Sequence, residues 1–144
     1  MEKAVLFDVD GQTYGFDISF VESIERQHAV TRLPGTADFV RGLMNLRGVI
    51  VPVLDGRRFF GRSAFQPEQQ TRTIILERGG VRVGFMVDGT RNVLDISPDM
   101  IQPVPADVEE SSSKIELEGV IYVDTRVVGL LDVSPVLDSS MAVN

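Results

Sequence analysis

The sequence predicts an all-β fold of two small antiparallel barrels packed on one another, with helix limited to a few short pieces. Three observations lead there. Short apolar-rich runs alternate with Gly, Pro and Asp turns along the chain. The long alternating helices that a parallel βαβ sheet requires are missing. And the chain repeats itself, a signal that precedes any fold assignment.

The repeat is read from hairpin signals. LFDVDGQTYGFDI places Asp10-Gly11, a favoured two-residue turn, between apolar segments. RTIILERGGVRVGFMV does the same around Gly79-Gly80. Without gaps, Leu6 falls on Ile75, Gly11 on Gly80, Gly15 on Gly84 and Phe16 on Phe85, an offset of 69 residues (84 − 15). Further on, RLPGTADF with Pro34 answers QPVPADV with Pro105. RGLMNLRGVIVPVLD then answers EGVIYVDTRVVGLLD, with Gly42 opposite Gly119 and Asp55 opposite Asp132, an offset of 77 (119 − 42). The copies span 4–55 and 73–132. Each holds several short strands. Closing such a copy into a barrel removes the exposed edges that invite aggregation.

The remaining elements follow in order. VESIE (21–25) reads as a strand. GTADFVRGL, after Pro34, reads as a short helix. The run 42–55 looks like a buried strand, with Asn45 and Arg47 set inside it. FGRSAFQPEQQ (60–70) connects the copies, and SSSK with the preceding Asp107–Glu110 reads as a surface loop. VSPVLDSSM predicts a C-terminal helix with Ser134 as N-cap and Pro135 in the first helical position.

The 144 residues suit one domain, or two very small ones sharing an interface. With 43% hydrophobic and 24% charged residues the class is globular. No apolar stretch approaches the roughly 18 residues of a membrane span, and MEKAVLFDV lacks a secretory layout. The absence of cysteine excludes disulfides and thiolate metal sites and fits a reducing cytosol. A net charge of −7 argues against nucleic acid and anionic membranes as partners. Of 14 basic residues only Lys3 and Lys114 are lysines. Arginine is the cation favoured in interfaces, although a bias in base composition accounts for the ratio equally well.

VLFDVDGQT (5–13) resembles the first motif of haloacid-dehalogenase-like phosphohydrolases. There Asp8 would attack phosphorus and Asp10 act as acid–base beside Mg²⁺. The surrounding α/β pattern is absent, Lys114 would have to bind the phosphate, and the second copy has Glu77 and Gly79 at the equivalent places. The spacing therefore belongs to the hairpin. His28 is the single histidine, read as a surface residue, which rules out multi-histidine metal centres. No Gly-x-Ser-x-Gly elbow and no phosphate-binding glycine loop occurs. The residues name no catalytic group, metal or cofactor.

YGFDI, VESI and VTRLPGTADFVRGLMNLRGVIVPVLDGRRFFG, followed by VGFMVDGTRNVLDISPDMIQP and EGVIYVDTRVVGLLDVSPVLD, closely resemble the CheW family of chemotaxis coupling proteins. The strongest motif is Asn45-Leu46-Arg47-Gly48 followed by Ile50, Pro52 and Asp55. The resemblance covers nearly the whole chain. It implies two SH3-like five-stranded barrels in one domain, 1–144. The approximate subdomains are 1–65 and 66–144, with exchange of strands between them left open. It implies a non-catalytic cytoplasmic adaptor, recruited to membrane-associated arrays. The implied partners are the cytoplasmic tips of methyl-accepting chemoreceptors and the regulatory domain of the histidine kinase CheA, which has the same fold. It leaves room for self-association and for a related motility pathway. Carried over by motif, the receptor-groove positions are Val21, Gly42, Asn45, Leu46, Ile50, Gly84 and Thr90. The chain from Met1 to Asn144 leaves no space for an appended receiver domain, so a stand-alone adaptor is expected.

Two departures stand out. The usual Asp-Leu-Arg is Asp55-Gly56-Arg57 here, which is expected to loosen the end of that strand. The glutamate that faces the motif's arginine in relatives falls on Ser23. An arginine shielded from water needs a carboxylate. Glu25 shares a strand face with Ser23, so Arg47 is expected to pair with Glu25. A competing reading has Arg47 snorkel to the surface, with Asn45 bonding the backbone of a turn or bulge.

Overall fold

A computed structural model describes residues 1–26, 29–64, 66–104 and 115–139. His28, Pro105, Lys114 and the polar segment around them lie outside the described residues. Ten strands run in chain order: β1 (Lys3–Val9), β2 (Gln12–Asp17), β3 (Val21–Glu25), β4 (Val40–Leu46), β5 (Val49–Asp55), β6 (Arg72–Arg78), β7 (Val81–Val87), β8 (Gly89–Asp95), β9 (Leu117–Val123) and β10 (Arg126–Leu131). Two short helices join them, α1 (Gly56–Phe59) and α2 (Ser134–Asp138). The fold is all-β, built on two five-stranded sheets.

The sheets do not divide the chain at residue 65. The first has the order β8-β1-β2-β10-β9 and the second β3-β6-β7-β5-β4. The second sheet is therefore continuous in sequence, over 21–87, and the first is assembled from the segments on either side of it. Sequence similarity marks the repeated unit, five strands long. Hydrogen bonding instead gives each unit's first hairpin to the other unit's strands. The two copies do this equivalently. Leu130 pairs with Gly15 in the parallel contact of β10 and β2, and Val53 with Gly84 in that of β5 and β7. Those register positions are related by the offsets of 77 and 69.

Tight turns set the registers. Asp10-Gly11, Arg47-Gly48 and Gly79-Gly80 all have positive φ at both central residues, the signature of a type I′ hairpin turn. The run 42–55 is thus a hairpin and not one buried strand. Arg47 lies at its tip, with φ 50° and a side chain 68% exposed. Asn45 makes this turn: its Oδ1 accepts from the Gly48 N–H at 2.8 Å. The Arg47 guanidinium donates to both Glu25 oxygens, at 2.9 and 3.4 Å. That contact joins β3 and β4, the two edge strands of their sheet. Beyond β3, Thr31 forms an isolated bridge to β4, exchanging backbone bonds of 2.8 and 2.9 Å with Leu43. Gly42 permits this approach. Its φ is 142°, and a Cβ there would strike the Thr31 carbonyl oxygen. In the other sheet Gln102 bonds Val120 in the equivalent way, beside Gly119.

Residues 35–43 form turns and the start of β4 instead of a helix. Gly35 has φ 80°, and strand pairing claims the chain from Val40 onward. A helical turn forms later, at α1. Asp55 caps it by accepting from the Arg58 N–H at 3.1 Å. Gly56 is buried where a Cβ would meet the Met86 carbonyl oxygen, so the glycine packs the strand end closely and does not loosen it. Ser134 is the first residue of α2 and not its cap. Asp132 Oδ1 accepts the Ser134 N–H, and the Ser134 hydroxyl accepts from Arg78.

Period-2 alternation sends each strand's side chains to different cores. Ala4 and Leu6 of β1 join Ile121, Val128 and Leu130 inside the first sheet. Ile75 joins Met44, Leu46, Val51 and Val53 inside the second. Phe7, Val9, Ile74, Leu76, Phe85, Val136 and Leu137 fill the core between the sheets. Phe85 meets Phe16 edge-on at 5.5 Å and Phe7 at 6.1 Å across that boundary.

Two stability contrasts follow. Gly42→Ala should cost roughly 2–4 kcal/mol in urea unfolding, because the left-handed backbone and the clash with Thr31 add. Gly11→Ala, with φ 80° but open space around it, should cost about 1 kcal/mol. At the β4–β5 tip, Asn45→Ala should cost about 1 kcal/mol for its turn bond. Arg47→Ala should cost less than about 1 kcal/mol, falling further with added salt, as befits an exposed ion pair.

Candidate functional site

The chain passes between the sheets twice, and both passages border one seam. The first runs from β2 to β3 through a 3₁₀ turn at Ile18–Phe20, capped where Asp17 accepts the Ser19 N–H. The second runs directly from β7 to β8 through Asp88. Val21 begins β3 and Thr90 lies near the start of β8. They occupy equivalent places in the repeat. Val21 pairs with Leu76, Thr90 pairs with Phe7, and both ladders shift register just beyond.

A polar clasp closes one side of the seam. Asp88 accepts the Asp10 N–H at 2.6 Å and the Arg57 Nε and Nη2 at 3.1 and 2.9 Å. Arg57 and Arg62 both lie near the Asp10 carboxylate, at 3.6 and 3.7 Å. Hydrogen bonding to Asp88 holds the Arg57 guanidinium still more firmly charged than usual. Asp8 is also committed. It takes the Arg91 Nε at 2.9 Å and the Thr13 hydroxyl at 2.8 Å, while Arg126 donates to Thr13. The carboxylates of the phosphohydrolase-like motif thus serve as acceptors in cross-strand and cross-sheet pairing.

The seven groove positions fall into three settings. Asn45 and Ile50 sit directly opposite one another on the outer face of the β4–β5 hairpin, with Ile50 60% exposed. Val21 and Thr90 border the passages and are half-buried. Gly42, Leu46 and Gly84 are buried. Leu46 belongs to the core of the second sheet, and Gly84 packs against Thr73, Ile75 and Val53. The two glycines act through backbone packing, and Leu46 is 5% exposed, lining a surface pocket beside Val49.

Exposed apolar side chains follow the repeat as well. Ile24 corresponds to Val93 and Ile50 to Val127, and all four are exposed. Tyr122, opposite Val127 and equivalent to Asn45, is 58% exposed. The sequence reading passed over Val93, Tyr122 and Val127. The offsets of 69 and 77, applied to Ile24, Asn45 and Ile50, point straight to them. No helix among the described residues is long and apolar enough to cross a membrane.

Comparison with known proteins agrees with this architecture. The CheW-like domain model matches residues 3–141. The chemotaxis protein CheW of Bacillus subtilis is 31% identical over 137 residues, which are 95% of this chain and 87% of that protein. The chemotaxis protein CheW of Klebsiella aerogenes is 33% identical over 138 residues, 96% of this chain and 82% of that protein. The crystal structure of the scaffolding protein TtCheW from Thermoanaerobacter tengcongensis superposes with a TM-score of 0.82 at 30% identity, covering 91% of this chain and 88% of that one. With this match over nearly its whole length, the chain belongs to the CheW family of non-catalytic chemotaxis scaffold proteins.

Proposed function

We propose that this chain couples the cytoplasmic tips of methyl-accepting chemoreceptors to the histidine kinase CheA, as a cytoplasmic adaptor recruited to receptor arrays. One observation supports it most: the repeat leaves exposed apolar side chains at equivalent places on two separate sheets. An adaptor needs two such surfaces, and a chain with a single ligand needs only one. Exposed apolar residues rimmed by charge mark surfaces for protein partners.

In this reading the receptor tip, a helical bundle, meets Val21, Thr90, Asn45 and Ile50. Gly42, Leu46 and Gly84 fix the shape of that surface from beneath. The regulatory domain of CheA, expected to share the fold, meets the second apolar surface at Val93, Tyr122 and Val127. The whole chain acts as one domain, because the seam exists only while both sheets are assembled.

Co-sedimentation with receptor-bearing membranes and CheA tests the assignment. Ile50→Asp should lower receptor recovery at least about tenfold, the usual scale for an apolar anchor at an interface, and leave CheA binding intact. Val127→Asp should do the reverse. Both residues are exposed, so both variants should keep the parent's melting temperature. Unchanged recovery of both partners in both variants would overturn the assignment.

A further inference from the structure

At the β4–β5 tip the second sheet bears an open pocket of about 280 Å³ lined by Glu22, Ser23, Leu46, Arg47, Val49 and Arg82. Its polar groups have unequal opportunities. Glu22 is fully engaged, with both oxygens accepting from the Arg82 Nε at 2.9 Å. Glu25, beside the pocket, is held end-on by Arg47, which donates from Nη1 and Nη2 at 3.4 and 2.9 Å. Each guanidinium carries five N–H donors, and its glutamate occupies one edge. The Ser23 hydroxyl has no hydrogen-bond partner among the described residues, although its oxygen is buried. A buried hydroxyl without a partner is costly, and native structures rarely leave one.

Among the described residues the pocket therefore offers donors without a recorded acceptor: the Ser23 hydroxyl and the remaining N–H groups of two arginines. Its remaining walls, Leu46 and Val49, are apolar and suit a short methylene stem. The two arginines face Glu22 and Glu25, and Glu77, paired opposite Arg82, also acts on its charge, so no net positive charge is left over. A doubly charged phosphate would thus gain little for its desolvation, whereas a single negative charge with planar oxygens matches the guanidinium forks. The Glu22 carboxyl is held below the usual range, first by its hydrogen bond to Arg82 and further by the charges of Arg82 and Arg47.

We infer that this pocket is a carboxylate-binding site, which accepts a carboxylate on a short aliphatic stem between Arg47 and Arg82 with its oxygen on the Ser23 hydroxyl. The two sources of such a group are a free small dicarboxylate and a glutamate side chain of a docked protein. The inference stands apart from the receptor and kinase assignment, because the pocket is tested alone.

The test is an NMR titration of the full chain, following the Ser23 amide and the Arg47 and Arg82 Nε–H signals. Glutarate should shift all three saturably, and the uncharged glutaramide should not. Ser23→Glu supplies a carboxylate from within and should abolish the response. Ser23→Ala, which keeps the fold, should weaken it roughly tenfold through loss of one charge-assisted bond. A blocked glutamyl peptide that binds more tightly than glutarate identifies a protein side chain as the natural occupant, and the reverse order identifies a free acid. Absence of saturable shifts in the parent chain, or an undiminished response in Ser23→Ala, would overturn the inference.

Discussion

Strand β2 cannot complete its hydrogen bonding within its own half of the chain. Its second neighbour is β10, reached in parallel from the far end of the sequence. Strand β7 stands in the same position toward β5. Both contacts require a small residue where the strands meet. A Cβ on Gly15 would press on Leu6 and Leu130, and one on Gly84 on Thr73. Because each sheet borrows from the other copy, neither copy can bury its core alone. The aromatic cluster around Phe85, with rings from both sheets and from α1, ties the sheets into one packed unit.

That exchange also produces the surface proposed for partners. The chain must cross between sheets at two points, and Val21 and Thr90 follow the crossings. The Asp10–Arg57–Asp88 clasp fixes one side of the resulting seam with charge-assisted bonds, while the apolar residues of both sheets remain exposed farther out. A surface of this kind is set by strands and not by long loops, which suits a member of a scaffold family.

Much of this was legible in the sequence. Asp10-Gly11 and Gly79-Gly80 fix their turns because glycine tolerates positive φ, and the 69- and 77-residue offsets exposed the doubling. Three features were hidden for physical reasons. Residues 35–43 carry a helix-like pattern, but pairing with Thr31 and β5 outweighs local propensity there. The α1 turn is only four residues long and starts at a glycine, whose selection reflects a close approach to Met86 that no local pattern reveals. Arg47 looked internal because Leu46 and Val49 flank it, yet a two-residue turn lifts it out of the apolar face. Of the candidate surface, Asn45 and Ile50 were marked by their motif, whereas Val93, Tyr122 and Val127 become visible only once the repeat is mapped onto the sheets. The pocket at Ser23 depends on contacts between β3, β7 and the β4–β5 tip, which sequence spacing does not report.

The claim on which this account rests is that the two sheets form one cooperative unit because their strands are exchanged. Native-state hydrogen exchange in rising urea tests it directly, read at β1 and β2 in one sheet and β6 and β7 in the other. The account predicts that the protected amides of both sheets converge on a single opening free energy and a single urea dependence. A sequence-continuous sheet of residues 21–87 that stays protected while 3–17 and 89–131 exchange would contradict it.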